Sequence, residues 1–148
     1  MTFSDVRFAT ANDRFAIVAL LRDAHAAATS MPVPFSATHV MALADRHIAD
    51  GDLLALVLGD PATGVLLASA QDHPFGGAKY AMEIAWWIAP EARGRSAMMM
   101  LDAYEQWARD RGCAFCQMAA LVSFPQAARL YERRGYRAVE THYLKPLG

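Results

Sequence analysis

The chain has 148 residues, 55% of them apolar, and a formal net charge of −1. That length predicts one domain whose core needs no metal or disulfide staple, and the composition excludes disorder. Near-neutrality excludes nucleic acid as a partner, because a long polyanion is held by a basic surface, yet the basic residues are twelve arginines against two lysines, and arginine forks onto phosphate and carboxylate.

The opening residues Met1-Thr2-Phe3-Ser4-Asp5 carry no basic region followed by an apolar run. They predict no signal peptide. No apolar run approaches the ~18 residues of a membrane helix. A soluble, cytoplasmic protein away from membranes is expected. Val6-Arg7-Phe8-Ala9 alternates as a short strand. Thr10 to Asp13 is a capping-box pattern, and Phe15, Val18 and Leu21 begin the helix behind it, which runs to about Ala27. The prolines at 32 and 34 make Thr29–Phe35 a loop. Ser36 starts a second helix with Val40, Leu43, Ala44 and His47 in step, and Asp50-Gly51-Asp52 ends it.

Leu53–Leu58 and Val65–Ala70 flank turn residues and predict a hairpin. Asp72–Gly77 reads as a loop and Met82–Ile88 as a strand stopped at Pro90. Ala97, Met100, Leu101, Tyr104, Trp107 and Ala108 fall on one helical face between Arg95 and Arg111, and Gly112 closes that helix. Phe115–Ala119 predicts a strand. Ser123 to Gln126 is a second capping box ahead of a helix over Gln126–Arg134. Gly135 ends that helix, and Tyr136–Leu144 is extended as one or two short strands. The order β-α-α-β-β-β-α-β-α-β predicts a single α+β domain over residues 1–148, a mixed sheet with helices packed on it.

The segment from Ile88 to Ala97 reads Ile-Ala-Pro-Glu-Ala-Arg-Gly-Arg-Ser-Ala. A glycine turn feeding a helix presents free backbone N–H groups and a positive helix end, and both favour phosphate. Taken alone, the segment is better read as a capped turn with solvated arginines. A nucleotide-binding α/β domain using this turn would want further glycines and a lysine that the sequence does not supply.

Pro90-Glu91-Ala92-Arg93-Gly94-Arg95, followed by a helix bearing Tyr104-Glu105-Gln106-Trp107-Ala108-Arg109, resembles the acetyl-CoA motif of the GNAT superfamily of N-acetyltransferases. Val6–Asp13 is similar to that family's first strand and capped helix. Ala127-Ala128-Arg129-Leu130-Tyr131-Glu132-Arg133-Arg134-Gly135-Tyr136 is similar to its last helix and Gly-aromatic turn. The resemblance spans nearly the whole chain. It implies a three-layer α/β arrangement, a mixed and largely antiparallel central sheet flanked by helices. It further implies acetyl-CoA as co-substrate, no metal, and direct transfer of acetyl to a primary amine in a ternary complex. Acetyl-CoA would lie on Arg93, Gly94, Arg95, Ser96, Ala97 and Met98, along the strand at Trp87 and Ile88, and near Phe124. Ser96 and Met98 stand where the family's turn carries glycine and a small residue, and Phe124 where it often carries asparagine. Those departures motivate an alternative: a catalytically weak or inactive GNAT-fold protein that binds acyl-CoA in a regulatory role.

Amine acetylation needs a base for the amine, a donor for the thioester oxygen and a proton for the leaving thiolate. The resemblance implies a backbone N–H near Trp87 or Ile88 as the donor. Glu83, inside an apolar strand beside tryptophans, is the candidate base, since desolvation raises a carboxylate's pKa. It alternatively faces solvent or attracts a cationic substrate. Tyr131 matches the family's leaving-group tyrosine and is the candidate acid. By composition alone it is an amphipathic core tyrosine.

Cys113 and Cys116 have redox spacing but follow a helix instead of starting one, so buried thiols are expected. Met100 is expected in the core, with Met98 and Met99 nearer a ligand. The five histidines form no metal motif, and His73 is a second candidate titrating group. Loops Thr29–Phe35 and Asp72–Tyr80 would border an amine substrate, a small molecule or a peptide, with Asp72 facing its ammonium group. A homodimer is compatible with the sequence.

Overall fold

The computed structural model describes residues 5–148. Met1–Ser4, part of the stretch read for a signal peptide, lie outside it. Five strands form one sheet in the order β1-β2-β3-β4-β5. They are β1 Val6–Phe8, β2 Leu53–Leu58, β3 Gly64–Asp72, β4 Lys79–Ile88 and β5 Cys113–Gln117. β1 through β4 pair antiparallel, and β5 joins β4 in parallel. The helices are α1 Arg14–Ala27, α2 Ala37–Ala49, α3 Arg95–Asp110 and α4 Pro125–Arg133. This is the mixed, largely antiparallel α+β sheet that the sequence predicts.

β2 is apolar at every position because both of its faces are covered. Leu54, Leu56 and Leu58 pack under α3 with Leu66, Ala81 and Ile88. Ala55 and Val57 pack under α1 and α2 with Val65 and Leu67. α3 contributes Met100, Leu101, Tyr104, Trp107 and Ala108 to the first layer, the face its spacing predicts. α1 contributes Ile17, Leu20 and Leu21 to the second.

The entry to α1 holds three elements together. Asp13 accepts the Thr10 backbone N–H at 2.8 Å. It also accepts both Arg7 terminal nitrogens at 2.8 Å. Arg7 donates onward to Gly59 O at 3.0 Å. One nearly buried carboxylate therefore ties β1, the first turn of α1 and the β2–β3 turn.

Three sequence expectations are corrected. Ser123 does not cap α4: Phe124 occupies the N-cap and Pro125 the first turn, so Ser123 lies one residue too early. β5 spans Cys113–Gln117 instead of Phe115–Ala119, because it starts directly after Gly112 and leaves the sheet two residues sooner. Tyr136–Leu144 forms no strand. A strand needs a neighbour to bond, and among the described residues the backbone beyond Tyr136 makes no backbone hydrogen bond.

Asp13→Ala is expected to cost about 1–3 kcal/mol in urea unfolding at neutral pH. Hydrogen bonding to Arg7 holds the Asp13 carboxyl below the usual carboxylate range. The stabilisation is therefore complete above the unfolded value and lost as pH falls through the lower folded one. The gap between wild type and variant should close in strong acid. An unchanged gap there would refute the assignment.

Candidate functional site

β4 is the spine of the site. It pairs with β3 from Lys79 to Ile88 but with β5 only from Lys79 to Met82. Past Met82 the two parallel strands separate and one edge of β4 is open. Ala89 N–H donates to Thr63 O at 2.8 Å, so Ala89 is bonded toward β3. Backbone direction alternates along a strand. The amide of Trp87 therefore also faces β3, and those of Trp86 and Ile88 face the open edge. Of the two amides expected near a thioester carbonyl, only that of Ile88 is on this edge.

The β3 register breaks at one place. Leu67 pairs Ala85 and Ala68 pairs Glu83, leaving Ile84 as an extra residue. Strict alternation would put Glu83 and Trp86 on opposite faces. The bulge puts them on the same one. Trp86 and Ile88 belong to the α3–α4 layer, and Ala85 and Trp87 to the α1–α2 layer. Glu83 lies on the α3–α4 side, where its charge acts on both Tyr104 and Tyr131.

Tyr131, on α4, is 7% exposed. Its ring stacks on Trp86 at 6.1 Å and its hydroxyl donates to Ala119 O at 3.0 Å. The Ala119 N–H acts on the Glu83 carboxylate. Glu83 and Tyr131 therefore meet at the two ends of one residue, Ala119, just beyond β5. Trp86 donates its indole N–H to Met100 Sδ at 3.4 Å, which fixes the ring beneath the tyrosine.

Burial pushes the Glu83 carboxyl up to about 7, against the Ala119 N–H, which favours the charged form. The Tyr131 hydroxyl is raised above its ordinary value, first by burial and then by the Glu83 charge. Near neutral pH the pair is a carboxyl balanced between its two forms beside a phenol held protonated.

The turn after β4 lies at its far end, five residues past Glu83 and so about 17 Å along a strand. Gly94 is the N-cap of α3, with φ 125° and ψ −127°. That is a conformation glycine takes readily and other residues avoid. The first turn of α3 leaves backbone N–H groups without helical acceptors. Arg93 does not stand free there. Its Nε donates to Ile88 O at 2.8 Å and its guanidinium lies 4.6 Å over the Trp87 ring. Arg95 is exposed. Ser96 is buried and its hydroxyl bonds back to Ala92 O. Ala97 and Met98 are half-buried. Phe124, half-buried at the start of α4, offers no polar side-chain group.

Other expectations sort by contact. Met100 is fully buried, as expected. Cys113 and Cys116 are free and half-buried, with both thiols pushed up by burial. His73 packs edge-on against Phe75, Tyr80 and Phe115 and accepts the Phe75 N–H, so it serves its own loop. Asp72 pairs with Lys79 at the end of the β3–β4 ladder. Phe35 closes the α1–α2 loop under His25 and Arg22. Among the described residues no His, Cys, Asp and Glu cluster suits a metal ion. Among the described residues no helix is long and apolar enough to cross a membrane. Sequence reading missed the Ala119 peptide and the Ile84 bulge. Backbone groups and register breaks leave no residue-type signal.

Known proteins bear on this arrangement. Solved structures with the same fold include a predicted acetyltransferase with acetyl-CoA from Clostridium acetobutylicum, 15% identical, with a TM-score of 0.80 over 99% of this chain and 97% of that one. A transcriptional regulator from Bacillus halodurans is 21% identical, with a TM-score of 0.79 over 99% and 100%. A ribosomal-protein-alanine N-acetyltransferase from Brucella melitensis is 19% identical, with a TM-score of 0.73 over 97% and 99%. No curated protein sequence matches the chain. The model of the GNAT acetyltransferase family matches residues 19–136, which hold β2 to β5, α2 to α4, the Gly94 turn, Glu83 and Tyr131. The chain belongs to the GNAT family of acetyltransferases.

Proposed function

We propose that the protein is a cytoplasmic N-acetyltransferase that passes acetyl from acetyl-CoA directly to a primary amine within a ternary complex. The observation that carries this reading is the meeting of Glu83 and Tyr131 at Ala119, on the open edge of β4. The α3 N-terminus, with Gly94, Arg95 and Ser96, takes the pyrophosphate through backbone N–H groups, helped by the Arg95 charge, and Ala97, whose own N–H donates to Gly94 O, borders it. The pantetheine arm runs along the open edge of β4 as an added strand would. Of the two amides that face this edge, that of Trp86, three residues from Glu83, donates to the thioester oxygen as negative charge develops there, while that of Ile88, at the far end of β4, bonds the arm. Met98 borders the arm, and Phe124 supplies apolar contact beside it. Arg93 and Trp87 act from behind, holding the end of β4 in place.

Glu83 receives the proton of the attacking amine. The carbonyl carbon gains the nitrogen and loses the sulfur, and the thiolate leaves toward Tyr131. Tyr131 then moves its hydroxyl proton from Ala119 O to the sulfur. Glu83 and Tyr131 are coupled through charge. An ionised Glu83 opposes loss of the tyrosine proton. Once Glu83 has taken the amine's proton that opposition is gone, so base action precedes acid action.

The first test is acetyl-CoA turnover over small amines, polyamines, aminoglycosides and peptide N-termini, read as free thiol. Stabilisation by CoA with no thiol release from any amine would mark an acyl-CoA-binding protein instead. No stabilisation by any acyl-CoA would refute both readings.

Glu83 works as a base only when ionised, so kcat/KM is expected to rise with pH through about 7. Glu83→Gln should lower turnover by about 10²–10⁴ and remove that limb of the profile. A variant that keeps the wild-type pH profile would exclude Glu83. Tyr131→Phe keeps the ring on Trp86, so CoA-dependent thermal stabilisation should persist while turnover falls about tenfold or more. Wild-type turnover in this variant would sink the acid role.

A further inference from the structure

A cleft of about 420 Å³, within the range of small-molecule sites, opens at the C-terminal end of α3. The Gly94 turn is at the other end of that helix, whose 16 residues put about 24 Å between the two. The cleft follows from the shortness of β1. Ala9 N–H donates to Ala55 O at 2.9 Å, and beyond it the chain turns into the entry of α1. The start of β2 is left with an uncovered edge. Ala55 O faces β1, so by alternation the Leu53 carbonyl faces the same way. Among the described residues no backbone donor reaches it. α2 ends on one side of this edge and α3 on the other. Ile48 and Trp107 give the cleft apolar walls, and Phe8, 65% exposed, lines it from β1.

The polar groups of the cleft are acceptors. His47, on α2, lines it and is only 5% exposed. Its Nδ1 lies 2.9 Å from Leu43 O, and a carbonyl only accepts, so Nδ1 holds the proton. Burial lowers the pKa of the ring and keeps it neutral. Nε2 therefore presents a lone pair, and among the described residues it has no partner. Leaving a buried acceptor unbonded costs free energy that an entering donor restores. Asp50 and Asp110 line the same cleft, and among the described residues neither pairs with a basic side chain. Arg111 lines it too, but Asp52 holds its guanidinium at 2.6 Å. α2 and α3 both bring their C-terminal ends here, and that is the negative end of a helix. Among the described residues these carboxylates and the imidazole form no cluster for a metal ion. A positive charge suited to the cleft is therefore carried on a larger body.

We propose that this cleft is a second ligand site, which binds an organic cation, a protonated primary amine on an apolar body. The ammonium group donates to His47 Nε2, with the Leu53 carbonyl as a further acceptor on the β2 edge. Asp50 and Asp110 offset its charge. The apolar body lies on Trp107, Ile48 and Phe8. An anion of the same shape would meet two carboxylates and two helix C-termini. A molecule without a donor would leave His47 Nε2 unmet. The site lies apart from Glu83 and Tyr131, and the inference stands whether or not the acetyl-transfer reading holds.

The test is a titration of the full chain with benzylamine, phenethylamine and tryptamine, followed by NMR of the histidine ring nitrogens. His47 is assigned through bonds from its own backbone, so no variant is needed to find it. At least one amine should move the Nε2 resonance of His47, saturably, from its unbonded toward its hydrogen-bonded position. Phenylacetate should leave it in place. Benzyl alcohol keeps a donor and an apolar body without the charge, and should need about tenfold more ligand. Asp50→Asn with Asp110→Asn should weaken the amine by about tenfold. Both positions are exposed, so the fold is kept. Glu83→Gln should leave the His47 response unchanged, which separates this site from an amine bound beside Glu83. An Nε2 already at its bonded position in the free protein would mark a resident water and overturn the proposal. So would no movement with any of the three amines, an equal response to phenylacetate, binding untouched by the paired aspartate changes, or a response lost in Glu83→Gln.

Discussion

Strand β4 has a partner along its whole length on one side and along only its first four residues on the other. The rest of the site follows from that asymmetry. β5 stops at Gln117, so the chain beyond it is free to bring Ala119 over Glu83. The amides of Trp86 and Ile88 lose their sheet acceptors, and an open strand edge is left inside a folded domain. β3 remains bonded throughout, so the open edge stays rigid. The bulge at Ile84 then turns Glu83 to the side where Trp86, Tyr104 and Tyr131 already lie. A regular β4 would have sent the carboxylate toward α1 and α2 instead.

Burial gives this group of residues its chemistry. A carboxyl desolvated beside aromatic rings titrates near neutrality, where an exposed one would be ionised throughout. The phenol beside it is held protonated by the same desolvation and by the carboxylate's charge. Ala119 addresses both, its N–H favouring the ionised carboxyl and its carbonyl, in the next peptide unit, accepting from the phenol. Two groups with opposite proton preferences are thereby held near one residue. The clasp behind them is ionic. Arg134 reaches Glu105 at 2.9 Å and Asp102 at 2.6 Å, and Tyr136 bonds Glu105. α4 is short, and these contacts with α3 secure the end that carries Tyr131.

Much of the fold was legible in the sequence because its signals are periodic or local. The apolar face of α3, the capping box at Thr10 and Asp13, and the β2–β3 hairpin all depend on residues a few positions apart. Glu83 and Tyr131 were legible as residue types in suggestive surroundings. What was not legible depends on long-range register. The sequence around Ile84 does not announce a bulge, because the bulge is a mismatch with β3, far along the chain. Ala119 enters the site through its peptide, and an alanine carries no mark of that. Tyr136–Leu144 shows the reverse error. Its residues favour a strand, but a strand also needs an edge, and propensity does not supply one.

The same contrast between side chain and backbone accounts for the turn before α3. On the proposed reading its task is to hold a pyrophosphate, and its side chains depart from the pattern the family resemblance implies. Serine replaces glycine at Ser96, and one of the two arginines lies back on Trp87. Neither change removes the groups that matter. Ser96 folds its hydroxyl onto Ala92 O and so leaves the mouth of the turn to the main chain. Arg93 ties the end of β4 to the turn through Ile88 O, which fixes the angle at which α3 begins. Gly94 keeps the one position where a side chain would strain the backbone. A site made of peptide N–H groups at a helix end tolerates such substitutions as long as the backbone path is kept, and here the substituted residues help to keep it.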